Sequence, residues 1–122
     1  MNPFLISTKC PMLFGCGTSM TVASKIQELG CKKVMIVCDD WLSKQENFKA
    51  FMNTFSEVET YVWNHVIPDP TDISVEEGAV IAKQENIDGI IGIGGGSSLD
   101  SAKAINTLLH SDFPINQYFA EL

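Results

Sequence analysis

The segment that most constrains the fold is IIGIGGGSSLDSAKAI, which runs from residue 90 to residue 105. Its apolar beginning predicts a strand of the kind that is buried on both faces of a parallel sheet. Three consecutive glycines follow, and SSLDSAKAINTLLH after them predicts a helix. A strand, a glycine turn and a helix therefore follow one another, as they do in an open α/β sheet. The predicted core face of this helix comprises Leu99, Ala102, Ile105 and Leu109.

The rest of the chain repeats this alternation of strands and helices. Strands are predicted over residues 32–40 and 58–64, and helices over residues 18–30 and 46–55 and after Pro70. The order predicts a Rossmann-like α/β fold, with a mostly parallel sheet and helices on both faces. A short N-terminal edge strand is predicted over residues 9–17, because Pro11 is tolerated best at an edge. The 122 residues suffice for one domain with a real core.

The starts of two helices carry capping signals. Thr18 or Ser19 is predicted to cap the first helix, whose apolar face is Met20, Ala23, Ile26 and Leu29. Thr71 or Asp72 is predicted to cap the helix after Pro70. In that helix Ser74 with Glu77 fits the capping-box pattern, and Thr71 with Ser74 does not.

The three glycines predict a phosphate site, since a helix start offers free N–H groups and a partial positive charge. Bare glycines let the backbone approach a pyrophosphate, and Ser97 or Ser98 can cap the helix and add a hydroxyl donor. The alternative is a tight turn with close strand–helix packing, for which one glycine is enough. The segment is not a Walker loop, because no Lys follows the last glycine. It fits G-x-G-x-x-G loosely, with Ser97 in the third glycine position.

Two acids near this turn each have two interpretations. Asp39 follows the apolar strand VMIVC and can accept hydrogen bonds from both ribose hydroxyls of an adenosine, or it can simply cap a helix. Asp100 can face the ligand from the first turn of the last helix, or it can pair with Lys103 on the helix surface.

Composition excludes several classes of protein. Eight basic residues against fifteen acidic ones give a net charge of −7, which argues against a nucleic-acid binder. The four cysteines form no CxxC pair, and the two histidines are not at metal-ligand spacing, so a structural zinc site is not expected. We expect reduced thiols in a cytoplasmic protein, without a secretory signal or a membrane span.

Four segments resemble the iron-containing, or group III, alcohol dehydrogenases. GIGGGSSLDSAKAI is similar to the GGGS-x-x-D-x-AK segment of that family, and LFGCGT to its early Phe-Gly-x-Gly turn. KKVMIVCDDWL resembles the family's first nucleotide-binding strand. VIPDPTDISVEEGAVIAKQENIDGIIGI resembles its Asn-Pro-Thr turn with the helix and strand that follow. The order and spacing are shared over nearly the whole chain.

The resemblance implies a role for each matching position. The glycine segment would wrap the pyrophosphate of NAD, Asp100 would lie beside the cofactor, and Asp39 would meet the adenosine ribose and favour NAD over NADP. The chain departs from the family at Asp69, where Asn is common, and an acid there could weaken binding or cap the next helix. The implied cofactor-binding residues are Asp39, Gly94, Gly95, Gly96, Ser97, Ser98 and Asp100.

The resemblance also implies a larger parent enzyme that reversibly oxidises a small alcohol to an aldehyde or ketone. The family holds a divalent metal, iron or zinc, in a second, helical domain that is absent from residues 1–122. We therefore expect no catalytic or metal-ligating residues in this chain, no turnover by it alone, and a homo-oligomeric parent.

Two alternatives remain open. Glycerol dehydrogenases and dehydroquinate synthases use similar glycine segments and a metal, although Ser97 and Ser98 favour the alcohol dehydrogenases. A non-catalytic module that binds a nucleotide is the alternative from another class.

Overall fold

A computed structural model of the chain describes residues 15–110. Strands and helices alternate along this range, as the sequence predicts. A turn of 3-10 helix, Thr18–Thr21, precedes α1 Val22–Glu28, β1 Lys33–Val37, α2 Asp40–Ser43, α3 Glu46–Met52, β2 Glu59–Trp63, α4 Asp72–Gln84, β3 Gly89–Gly92 and α5 Gly96–Leu109.

The three described strands form a parallel sheet in the order β2-β1-β3. Val34 of β1 pairs with Thr60 of β2 on one side and with Gly89 of β3 on the other. The β-branched and apolar run of β1 suits this central place, because a middle strand is buried on both faces. The predicted Rossmann-like α/β class is confirmed.

Helices cover both faces of the sheet. On one face Met35 and Val37 pack with side chains of α4 and α5, including Ala79 and Ile105. On the other face Val34, Ile36 and Cys38 pack with Phe48 and Phe51 of α3 and, at the margin, with α1. Successive residues of β1 therefore serve two cores, in keeping with the two-residue repeat of a strand.

The predicted burial is wrong in two places. The strand β3 is half-buried along its length, because β1 pairs with one of its edges and no other described strand pairs with the second. Leu99 is 44% exposed although Ala102 and Ile105 are buried, since Ser98, Ser101 and Leu108 take up the inner face of α5 instead.

The structure also corrects two helix starts. The first helical segment begins as 3-10 helix after Gly17 rather than at a Thr18 or Ser19 cap, and Met20 and Leu29 of the predicted face are exposed. At α4 the cap is Thr71, and the Ser74 hydroxyl completes a reciprocal capping box at 3.2 Å in each direction. The predicted pairing of Ser74 with Glu77 is wrong because serine can take the place of the usual Glu or Gln.

Two further predictions concern the chain ends and membranes. The predicted edge strand over residues 9–17 lies mostly outside the described residues. Between residues 15 and 110, no helix combines the length and the apolar character that crossing a membrane requires.

Candidate functional site

The turn between β3 and α5 extends the sheet by one hydrogen bond and then opens into the helix. Ile93 N–H donates to the Val37 carbonyl at 2.9 Å, and Gly95 occupies the N-cap position of α5. The first helical bond runs from Leu99 N–H to the Gly95 carbonyl at 3.1 Å. The N–H groups of the preceding residues therefore have no acceptor within the helix, as at any helix start.

The serines of this turn are not caps, which corrects the sequence prediction. Because α5 already begins at Gly96, Ser97 and Ser98 lie inside its first turn, and the N-cap Gly95 has no side chain to offer. Ser98 is buried and Ser97 half-buried. The backbone N–H groups of this turn thus have no side-chain cap competing with an external anion.

Two of the glycines are required by packing. A Cβ on Gly92 would lie 2.8 Å from the Ala102 Cβ, which is too close for two carbon atoms. Gly94 has φ +130°, and a Cβ there would lie 2.7 Å from the Ser98 Oγ. At these two positions the turn interpretation of the glycine segment is sufficient.

Packing does not require glycine at the next two positions. A Cβ on Gly95 or Gly96 would meet nothing within 4 Å. Gly95 has φ −84°, a value that any residue adopts without strain. Neither close packing nor backbone conformation accounts for a missing side chain here, so the explanation must lie on the open side of the backbone.

That open side is a cleft of about 300 Å³. Since β1 and β3 are neighbours, their carboxyl ends meet at the same edge of the sheet, and the loops that follow them line one cavity. The cleft thereby brings Asp39 to the glycine segment, although the two are far apart in sequence. Its lining comprises Asp39, Val66, Ile67, Pro68, Gly95, Gly96, Ser97 and Ser98.

Two predicted residues lie outside this lining. Gly94 borders a second, more apolar cleft on the other side of the turn, together with Phe48 and Leu99. Asp100 is exposed and lies in the second turn of α5, since the helix starts at Gly96. Within the described part of the chain, Asp100 and Lys103 form no ion pair within 4.0 Å, so the structure does not support surface pairing, one of the two interpretations of Asp100.

Asp39 caps a short helix with one carboxylate oxygen. Its Oδ1 accepts a hydrogen bond from Leu42 N–H at 2.6 Å and thereby starts α2. The residue is half-buried and lines the cleft at the same time. Helix capping and ribose binding are therefore compatible here, because a carboxylate has a second oxygen and several lone pairs.

The thiol of Cys38, the residue before Asp39, is unreactive. Cys38 is fully buried, and this burial raises the pKa of its thiol to about 11, with further contributions from the charges of Asp39 and Asp40. A thiol with so high a pKa is not a nucleophile at neutral pH. The Cys38 side chain therefore serves packing in the core between β1 and α3.

Asp69 occupies an unusual backbone position beside the cleft lining. It lies between Pro68 and Pro70 with φ +50°, a left-handed conformation that Asn and Asp tolerate better than other side chains. This requirement explains why an acid can stand where the family commonly has Asn. Of the two effects considered for Asp69, capping of the next helix does not occur, because Thr71 caps α4.

Asn64 lies outside the cleft lining but contacts the helix that Asp39 caps, and sequence reasoning missed it. It follows β2 directly, as Asp39 follows β1 after Cys38, and its amide hydrogen-bonds to Asp40 and Ser43 of α2. A polar residue at the carboxyl end of a strand next to β1 is the signal that could have indicated it.

The described residues do not form a metal centre. Nowhere in residues 15–110 do three or more His, Cys, Asp or Glu side chains come together in a group that could hold a metal ion.

Comparisons with known proteins agree with this architecture. Residues 11–121 match the iron-containing alcohol dehydrogenase family. The chain is 34% identical over 108 residues to the NAD-dependent methanol dehydrogenase of Bacillus methanolicus, covering 87% of this chain and 28% of that protein. It is 35% identical over 109 residues to alcohol dehydrogenase 4 of Schizosaccharomyces pombe, covering 87% of this chain and 26% of that protein.

A solved structure shows the same likeness. The NADH-dependent butanol dehydrogenase A of Thermotoga maritima superposes with a TM-score of 0.87 at 26% identity, over 98% of this chain and 31% of that one. The chain thus spans less than a third of the length of these relatives.

Proposed function

The chain belongs to the iron-containing alcohol dehydrogenase family, and on that basis we propose that residues 1–122 are the NAD-binding domain of a metal-dependent alcohol dehydrogenase. The parent reaction is the reversible oxidation of a small alcohol to an aldehyde or ketone. The observation that carries the proposal is the cleft that joins Asp39 to the bare backbone of Gly95 and Gly96.

The start of α5 is the proposed pyrophosphate site. Its first N–H groups have no acceptor within the helix, and the first turn carries no acidic side chain that would repel an anion. The helix dipole adds a partial positive charge at the same point. Gly95 and Gly96 leave room for phosphate oxygens against the backbone, because a side chain at either position would project into open space. Gly94 adopts the φ of +130° that this turn requires, and Ser98 lines the cleft beside Gly95 and Gly96.

Asp39 is the proposed ribose ligand and selects NAD over NADP. Its carboxylate lies in the same cleft as the helix start and can accept hydrogen bonds from the ribose hydroxyls. The 2′-phosphate of NADP would meet this negative charge and be repelled. The apolar wall formed by Val66, Ile67 and Pro68 suits the carbon-rich remainder of an adenosine. Asp100, one helical turn further along, is proposed to lie beside the cofactor.

When bound, the nicotinamide supplies the hydride acceptor of alcohol oxidation and the hydride donor of the reverse reaction. The residues described above bind and orient the dinucleotide and do not touch the alcohol. The side chains of residues 15–110 do not fit a metal site. We therefore assign iron or zinc, and the polarisation of the alcohol, to the remainder of the parent protein.

The wider setting of the parent follows from the same family membership. We propose a homo-oligomeric, cytoplasmic enzyme whose partners are NAD(H) and a small alcohol or aldehyde. The net charge of −7 favours neither nucleic acid nor anionic membranes as partners.

The test is titration of the purified chain with NADH and, separately, with NADPH, followed by nicotinamide fluorescence and calorimetry. We expect saturable binding in which NADH is preferred by about tenfold or more, equivalent to roughly 1.4 kcal/mol. ADP-ribose should compete with NADH, since it carries the pyrophosphate and both riboses. Failure of both dinucleotides to bind, or binding that ADP-ribose leaves unchanged, would overturn the proposal.

A further inference from the structure

Asn64 connects the end of β2 to the short helix α2, which Asp39 caps. Its Nδ2 donates to Asp40 Oδ1 at 3.1 Å and to Ser43 Oγ at 3.1 Å. Asp40 and Ser43 are the first and last residues of α2. A single half-buried amide thus holds both ends of this helix against the neighbouring strand.

Backbone hydrogen bonds show that the two loops already form one wall. Cys38 N–H donates to the Trp63 carbonyl at 3.2 Å, and Val66 N–H donates to the Cys38 carbonyl at 3.3 Å. The loop after β1 contributes Asp39 to the cleft, and the loop after β2 contributes Val66, Ile67 and Pro68. The Asn64 side chain lies where these two loops meet and extends the connection from the backbone to α2.

The helix α2 needs such support. It has four residues, which is too short to be stable through its own hydrogen bonds. Asp39 caps it through Leu42 N–H, so the Asp39 carboxylate and α2 have a common orientation. Lys44 adds an ion pair to Asp40 at 2.7 Å, but both side chains are more than half exposed, so this pair contributes little.

We propose that Asn64 is a positioning residue for dinucleotide selectivity. By fixing α2 to β2, its amide holds the Asp39 carboxylate at the place where the cofactor ribose binds. This inference rests on the proposed function, because it assigns a role within the same cleft. The alternative is that Asn64 only adds stability, in which case its loss would weaken NAD and NADP binding alike.

The first experiment replaces Asn64 with Leu, which has a similar shape and no hydrogen-bonding group. We expect the affinity of the chain for NADH to fall about fivefold, the effect of losing hydrogen bonds of ordinary net strength, while its affinity for NADPH stays the same. The matched control is Gln45→Leu. The Gln45 Nε2 donates to the Trp41 carbonyl at 3.1 Å, so this control removes a side-chain amide bond that does not reach β2.

Exchanging the side chains at positions 64 and 40 tests the hydrogen bond between Asn64 and Asp40. Asn64→Asp alone would place a second carboxylate beside Asp40, and we expect it to lower the NADH preference at least as much as Asn64→Leu. Adding Asp40→Asn restores one amide and one carboxylate with donor and acceptor exchanged, at the same net charge. We expect the double variant to recover most of the preference, which a general effect on stability would not produce.

Amide hydrogen exchange of the cofactor-free chain separates this inference from the proposed function. If Asn64 positions Asp39, the Leu42 amide should exchange faster in Asn64→Leu and at its normal rate in Gln45→Leu. Faster exchange with an unchanged ratio of NADH to NADPH affinity would overturn the inference and leave the proposed function intact. Equal loss for both dinucleotides, or no rescue by the double variant, would also overturn it. If the unaltered chain binds neither dinucleotide, the proposed function fails, and selectivity through Asn64 fails with it.

Discussion

The backbone N–H groups at the two ends of the sheet differ in whether an acidic side chain of the chain itself accepts their hydrogen bonds. At the amino end, the Asp88 carboxylate accepts from Lys32 N–H at 2.8 Å and from Lys33 N–H at 3.0 Å. At the carboxyl end, the N–H groups that start α5 have no acidic side chain in the first turn, and Gly95 and Gly96 leave their surface bare. The first end contains its own anion, and we propose that the second binds one from outside.

The glycine segment contains the same contrast on a smaller scale. A methyl group added to Gly92 or Gly94 would lie less than 3.0 Å from another protein atom, whereas one added to Gly95 or Gly96 would face open space. Four glycines that look equivalent in sequence therefore divide into two that the fold needs and two that the fold does not need, for which we propose a role in ligand binding. Substitution of individual glycines by alanine tests this division.

The largest expected effect is on the stability of the Gly94→Ala variant. Its φ of +130° and the approach of the new methyl group to Ser98 are both unfavourable. We expect the free energy of unfolding to fall by about 2 kcal/mol or more. Thermal and urea unfolding measure this, with Ser24→Ala on the exposed side of α1 as the control. An unchanged melting temperature would mean that the turn can rearrange, and that Gly94 is not a structural glycine.

The next effect is on binding rather than on stability. Gly95→Ala or Gly96→Ala places a methyl group where the pyrophosphate is proposed to lie, without a clash or strain in the protein itself. We expect NAD affinity to fall more than tenfold, about 1.4 kcal/mol, while the melting temperature moves by a few degrees at most, or roughly half a kcal/mol. Calorimetric titration and thermal unfolding of the same samples give both values. A large fall in melting temperature with normal affinity would show that these glycines also serve the turn.

Asp39→Ser separates charge from helix capping. Serine is as good a cap as aspartate, so α2 and the overall stability should be preserved. Without the carboxylate, the preference for NADH over NADPH should fall by about tenfold, as the 2′-phosphate is no longer repelled. Titration with both dinucleotides measures the ratio. If the ratio stays the same in a variant that is folded, Asp39 is a capping residue and has no role at the ribose.

Much of the fold could be predicted from the sequence, because its signals are local. The β-branched run of β1 and the break at Pro70 act through their own backbone preferences, and so does Gly30 after α1, which has φ +83°. The helix faces are harder to predict. The periodicity indicates Leu99, which is exposed, whereas close packing of α5 on the sheet buries the small residues Ser98 and Ser101.

The site could be predicted in part. Asp39 and the glycine segment could be identified because strand ends and glycines are visible in the sequence, and the cleft brings them together. Which of the glycines packing requires depends on the distances from an added Cβ to Ser98 and Ala102, and only the packed structure provides these distances. Asn64 was missed for the same reason, since its partners on α2 are about twenty residues away in the chain.

The smallest expected effect is at the amino end of the sheet, where Asp88→Asn removes the internal anion. Hydrogen bonds from Lys32 N–H and, less strongly, from Lys33 N–H hold the pKa of the Asp88 carboxyl below its usual value. At pH 7 the variant should lose about 1 kcal/mol, at the low end for charge-assisted bonds because the site is exposed. Asparagine can accept one of these two hydrogen bonds through its oxygen, but its NH₂ group cannot accept the other.

The pH dependence of this difference gives the sharper test. Since the folded-state pKa of Asp88 is lowered, its contribution is complete above the unfolded-state pKa of about 3.9 and is lost as the pH falls through the lower folded-state value. The stability difference between the unaltered chain and Asp88→Asn should therefore stay constant from neutral pH to about pH 5 and shrink below about pH 4. Urea unfolding at each pH measures it. A difference that persists at the lowest pH would mean that the Asp88 charge is not what holds the two N–H groups, and the contrast between the two ends of the sheet would have to be explained without it.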